Sequence, residues 1–221
     1  MIRQKRVYLL CGHYGSGKTN IAVNLALFLK KEREKVAIAD LDIVNPYFRT
    51  KDSADALRAA GIDLIASEYA GSNVDIPALP QELYRLTDDK DLTCVIDVGG
   101  DDRGALALGR IAPALRQEDN FEMLAVINRF RPLTPDAAST LEVLREVEAA
   151  GGLPFTGLVN NSNLGAATTA EDVLASVGYA KDVEKITNLP LVMTTAEDRL
   201  IPALSGKIPD LFPLKLQKRP V

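Results

Sequence analysis

The chain has 221 residues, 47% hydrophobic and 25% charged, the usage of a soluble globular protein, and no stretch reaches the roughly 18 apolar residues that span a bilayer. A formal net charge of −4 argues against a surface built to attract nucleic acid. Length of this order suits one large α/β domain, so a single domain over residues 1–221 is expected.

The N-terminal "MIRQKR" is basic, but the apolar run behind it stops at Gly12, short of the roughly 7 to 15 residues of a secretory segment. That run, residues 6–11, reads as a buried strand. It feeds the glycine-rich "CGHYGSGKT", and an amphipathic helix comes next over 19–31. Further strands are expected at 36–41, 63–66, 93–98, 123–127, 155–159 and 191–193, with helix-period segments between most of them. Seven strands alternating with helices imply a three-layer α/β fold, a mostly parallel sheet with helices on both faces.

Local chemistry marks the helix ends. Thr134-Pro135-Asp136 offers an N-cap hydroxyl, a first-turn proline and an early carboxylate, and Thr168 with Glu171 matches a capping box. "GGLP" at 151–154 is a helix stop. Cys11 and Cys94 fall in apolar runs without CxxC spacing, which predicts buried structural thiols and a cytoplasmic setting. "KKEREK" at 30–35 mixes charge signs and does not read as a DNA-binding patch. The C-terminal "IPDLFPLKLQKRPV" is interrupted by Pro209, Pro213 and Pro220, so no amphipathic membrane anchor is expected and its basic end reads as a solvated tail.

Chemistry concentrates in three places. Gly12, Gly17, Lys18 and Thr19 satisfy G-x-x-x-x-G-K-[ST], with Gly15 as a third glycine and His13, Tyr14, Ser16 and Asn20 in or beside the loop. Glycines let successive backbone N–H groups turn toward phosphates, and the helix N-terminus adds positive potential. Lys18 is placed to neutralise the β- and γ-phosphates, and the Thr19 hydroxyl to hold Mg²⁺. The second place is "VAIADLD", an apolar strand ending in Asp40 and Asp42, carboxylates that either project into a ligand crevice or cap the next turn. The third, "CVIDVGGDD", ends a strand at Asp97 before Gly99 and Gly100. Asp97 is placed to bind Mg²⁺ and the glycine amides to sense a γ-phosphate, while Asp101 and Asp102 suit the cap of the next helix.

With "GHYGSGKT", "DLD" and "DVGG" in this order, the chain resembles the MinD/ParA group of P-loop ATPases, which includes CobQ/CobB-like proteins and the nitrogenase iron protein. The resemblance implies a P-loop NTPase fold and slow Mg²⁺-dependent ATP hydrolysis that switches an unidentified protein partner. It makes Lys18, Asp42 and Asp40 the catalytic candidates, Asp42 orienting the attacking water, and Thr19, Asp42 and Asp97 the metal ligands. Asn160, ending "FTGLVN", matches an asparagine that reads the adenine edge, and Asn161 is its stand-in. A guanine reader normally carries Asn-Lys-x-Asp after a late strand, whereas this chain has "NRFR" and "NNSN", which favours ATP over GTP. Two other readings stay open, a CobB-like ATP-dependent kinase or ligase of small molecules and a non-hydrolysing nucleotide-binding adaptor.

The loop departs from the family pattern at two residues. His13 stands where a second lysine reaches across a dimer to the partner's nucleotide, and Tyr14 where a glycine would be. An imidazole is shorter than a lysine side chain and carries no permanent charge. A homodimer is possible, but nucleotide-driven pairing is not expected. Arg49, Arg103, Arg129 and Arg131 are the candidate replacements for the missing charge.

Overall fold

The computed structural model describes residues 2–41, 51–66, 81–99 and 102–216. In chain order the elements are β1 (Val7–Cys11), α1 (Lys18–Leu29), β2 (Val36–Asp40), α2 (Lys51–Ala59), β3 (Asp63–Ala66), α3 (Gln81–Asp88), β4 (Thr93–Asp97) and α4 (Asp102–Glu118). They continue as β5 (Phe121–Ile127), α5 (Ala137–Gly151), β6 (Gly157–Asn160), α6 (Ala170–Thr187), β7 (Leu191–Glu197), α7 (Ile201–Leu204) and β8 (Leu211–Leu214).

The strands form one sheet in the order β3-β2-β4-β1-β5-β6-β7-β8, every neighbouring pair parallel. A parallel strand buried on both faces must be apolar on both, and β1 is: Val7, Leu9 and Cys11 enter one core with residues of α4, α5 and α6. Tyr8 and Leu10 enter the other, with α1 and Leu57 of α2. That division places helices on both faces and brings all strand C-termini to one edge, where α/β folds bind their ligands.

Three sequence expectations need correction. The sheet has eight strands, not seven, because β8 forms from the proline-interrupted segment and pairs with β7 in the register Thr194↔Leu211 through Glu197↔Leu214. Pro213 is tolerated there because an edge strand leaves its missing N–H on the unpaired side. Beyond β8, the Lys215 backbone N–H and C=O pair with the Asn24 side chain at 2.9 and 3.0 Å, fastening this edge to α1. The cap of α5 is Asp136, which accepts from Ser139 N, because the Thr134 hydroxyl is committed to the Asn128 carbonyl at 2.8 Å. The capping box of α6 uses Thr169 and Asp172 instead of Thr168 and Glu171, since the Thr168 hydroxyl donates to Gly165 O at 2.6 Å.

Arg6 lies just before β1 and is buried, its guanidinium bonded to the Leu86 and Leu92 carbonyls and paired with Glu118 at the end of α4. Among the described residues no helix is long and apolar enough to cross a membrane.

Candidate functional site

The loop between β1 and α1 is shaped by backbone that only glycine supplies. Gly12 has φ +145°, and a Cβ there would stand 2.4 Å from the carbonyl oxygen of Val126 in β5. Gly17 has φ +92°, and its Cβ would stand 2.2 Å from Nδ2 of Asn161. Both approaches are too close for a side chain, which would push the loop off the sheet. α1 then begins at Lys18 with no side-chain cap on Gly17, which leaves its first-turn N–H groups directed at the loop.

Lys18 is 7% exposed, and its Nζ donates to the carbonyls of Gly12 at 3.0 Å and His13 at 3.3 Å. The ammonium is thereby drawn over the loop instead of out to water. The Thr19 hydroxyl donates to Asp97 Oδ2 at 2.5 Å, joining the start of α1 to the end of β4. Asp97 and Asp40 stand in register on neighbouring strands and are both buried.

The donors at this corner are oxygens, as a hard cation requires. Among the described residues no group of three or more His, Cys, Asp and Glu side chains is arranged to hold a metal by itself. Thr19 and Asp97 therefore fit Mg²⁺ in the manner usual for that ion, one or two protein oxygens with phosphates completing the shell. Cys11, next to Gly12, takes no part: burial pushes its thiol up to about 12, and Cys94 is raised likewise to about 12.

The rest of the loop divides into rim and floor. Tyr14 is 64% exposed, whereas Ser16 is buried with a hydroxyl that has no hydrogen-bond partner, and His13 has a buried Nδ1 in the same condition. Gly15 takes φ +74° between them. Asn20 continues α1 from the loop, and Gly99 is buried just beyond β4. Asp42, Gly100, Arg49 and Asp101 lie outside the described residues.

Asn160 ends β6 and Asn161 comes directly after it, and each side chain is hydrogen-bonded within the fold. Asn160 is fully buried: its Nδ2 donates to Ser176 Oγ at 2.9 Å, and its Oδ1 accepts from Ser162 N and Oγ. Through these bonds its side chain joins β6 to α6. Asn161 Nδ2 donates to the Ser16 carbonyl at 2.6 Å, and its Oδ1 accepts from the Thr195 hydroxyl at 2.6 Å. It is a strut from β6 and β7 to the floor of the glycine loop.

Replacing Asn161 with alanine is expected to cost about 1 to 3 kcal/mol of stability, because the Ser16 carbonyl and Thr195 hydroxyl would stay buried without partners. Denaturant unfolding measures it. A wild-type midpoint would mean that the strut contributes nothing to holding the loop.

Asn128 and Thr195 belong to the same framework and are absent from the sequence expectations. Asn128 comes directly after β5, is fully buried, and its Oδ1 accepts from Phe130 N and Asn163 N. Its trace in the sequence is the repeat of asparagine at the ends of two consecutive parallel strands, β5 and β6.

A glycine loop between the central parallel strand and a helix, with a buried lysine inside it and a strand-end carboxylate on its threonine, defines a P-loop nucleotide-binding domain. The family model for the CbiA domain, described as the CobQ/CobB/MinD/ParA nucleotide binding domain, matches residues 12–175, well over half of the chain. The chain belongs to that family.

Solved structures with the same fold include chloroplast FtsY from Physcomitrella patens, at 20% identity and a TM-score of 0.57 over 88% of this chain and 59% of that one. FtsY from Thermotoga maritima gives 18% identity and 0.57 over 89% and 63%. FlhF complexed with GTP and Mg²⁺ gives 13% and 0.54 over 87% and 66%. At such identities the likeness concerns the fold alone, and the chain spans about three-fifths of the length of the FtsY chains. A comparison with curated protein sequences gives no match.

Proposed function

We propose that the chain binds ATP with Mg²⁺ and hydrolyses it slowly, the nucleotide state setting its affinity for a protein partner. The observation that carries this reading is the joined set of Lys18 over the glycine loop and Thr19 on Asp97. In it Lys18 and the loop N–H groups hold the phosphates, Thr19 and Asp97 hold the metal, and Asp42 orients water. The ion supplies charge neutralisation to the phosphoryl group and a fixed geometry for its oxygens. Buried donors already in place stabilise charge that develops on phosphate without reorganising water.

The base preference rests on the two strand ends. FlhF is solved with GTP, so guanine recognition exists on this fold, but here the residues after β5 and β6 lack the Asn-Lys-x-Asp arrangement. The three asparagines at and after the end of β6 are instead engaged internally: Asn160 on Ser176, Asn161 on Ser16, and Asn163 on the Asn161 carbonyl. None supplies the carboxylate that pairs with the guanine N–H groups.

Calorimetric titration with ATP and GTP, each with Mg²⁺ and with chelator, tests the reading. ATP is expected to bind more tightly than GTP, with affinity falling when the ion is removed. GTP binding the more tightly would overturn the base assignment, and no binding of either would overturn the reading itself.

A further inference from the structure

The turn after β5, residues 128–134, is built to hold one side chain against the glycine loop. The Asn128 carbonyl accepts from Arg131 N at 3.1 Å and from the Thr134 hydroxyl at 2.8 Å, and Thr134 N donates back to Arg131 O at 3.1 Å. Asn128 Oδ1 also accepts from Phe130 N, so the backbone on both sides of Arg131 is pinned. The Arg131 side chain then lies on the loop: a Cβ built on Gly15 would stand 3.5 Å from its Nε and 3.6 Å from its Cζ.

Nothing in the described fold uses that guanidinium. Its Nε is buried without a hydrogen-bond partner, and among the described residues no carboxylate pairs with it. Arg129, two residues earlier, is occupied: its Nη1 donates to the Ala175 carbonyl at 3.0 Å, and its Cζ lies 5.7 Å from the Phe130 ring centroid. The Arg131 side chain is half-buried with its Nε wholly enclosed, an unpaired buried donor is costly, and His13 Nδ1 and Ser16 Oγ in the adjoining loop are also buried without partners. Of these groups the guanidinium N–H and the Ser16 O–H can both donate to an anion lying on the glycine loop. A planar guanidinium suits phosphate oxygens in particular.

We infer that Arg131 contacts the phosphate chain of a bound nucleoside polyphosphate from within the same chain, supplying beside Lys18 the positive charge that His13 lacks. This rests on the proposed reading of the loop as a nucleotide site. A cation delivered by the turn after β5 needs no second copy of the protein, so triphosphate binding is complete in one chain.

The test uses the full chain, the magnesium salt of the β,γ-imido analogue of ATP, and three proteins: wild type, Arg131→Ala and Lys18→Ala. Arg131→Ala is expected to raise the dissociation constant by about tenfold and to flatten its dependence on salt, with Arg131→Lys recovering part of the loss. Because the fold does not use the guanidinium, the nucleotide-free Arg131→Ala protein is expected to melt at the wild-type temperature. Light scattering at saturating analogue is expected to give the same mass as without it.

Equal affinity of wild type and Arg131→Ala, with binding lost in Lys18→Ala, overturns the assignment of Arg131 and leaves the nucleotide site standing. Doubling of the wild-type mass on adding the analogue, absent from Arg131→Ala, overturns it also, because the arginine would then act across an interface. If the wild-type chain binds no analogue, the nucleotide reading and this inference fall together.

Discussion

Lys18→Ala is expected to weaken binding of ATP by about 2 to 3 kcal/mol, on the order of a hundredfold in the dissociation constant. The ammonium is 7% exposed and already held over the loop by two carbonyls, so its contact with phosphate is made in a site partly closed to water. A charge-assisted hydrogen bond there exceeds the roughly 0 to 1 kcal/mol of a surface ion pair. Among the described residues the lysine donates to the Gly12 and His13 carbonyls at 3.0 and 3.3 Å, so a modest loss of stability is expected beside the larger loss of affinity. Calorimetry reads the affinity and thermal melting reads the fold. Unchanged ATP affinity would sink the assignment of the loop.

The second large effect is kinetic and separates two neighbouring carboxylates. If Asp42 orients the attacking water, Asp42→Asn is expected to lower turnover by roughly 10² to 10⁴ while leaving ATP affinity nearly intact. Asp40 is in a different position: it is 5% exposed, ends β2, and stands in register with Asp97 and with Ala66. Asp40→Asn is therefore expected to act through the charge balance beside Asp97, changing the magnesium dependence more than the turnover at saturating ion. Steady-state phosphate release at several magnesium concentrations distinguishes them. A near-wild-type Asp42→Asn beside a strongly impaired Asp40→Asn would transfer the water-orienting role to Asp40.

Short-range physics made part of this protein legible in its amino-acid order. Hydrophobic runs of strand length marked seven of the eight strands, because a parallel strand buried on both faces must be apolar throughout, as β1, β2 and β4 are along nearly their whole length. The glycine loop was legible for a related reason. Positive φ at Gly12, Gly15 and Gly17 is a property of the residue and its immediate neighbours, and Lys18 and Thr19 come at fixed spacing on the first turn of α1.

Tertiary structure decided the rest, wherever competition between possible partners set the outcome. β8 hides its edge-strand nature behind Pro213, and only pairing with β7 and the clasp of Lys215 on Asn24 reveal it. The helix caps shifted because Thr134 and Thr168 found other acceptors in their own turns. Asn160 and Asn161 are adjacent in sequence, but alternation along β6 sends them to opposite partners, Ser176 on α6 and Ser16 in the loop. Arg129 and Arg131 are likewise two similar residues in one motif. Which of them is committed to a helix carbonyl and which lies against Gly15 depends on where α6 and the glycine loop pack, and on nothing local to the turn that carries them both.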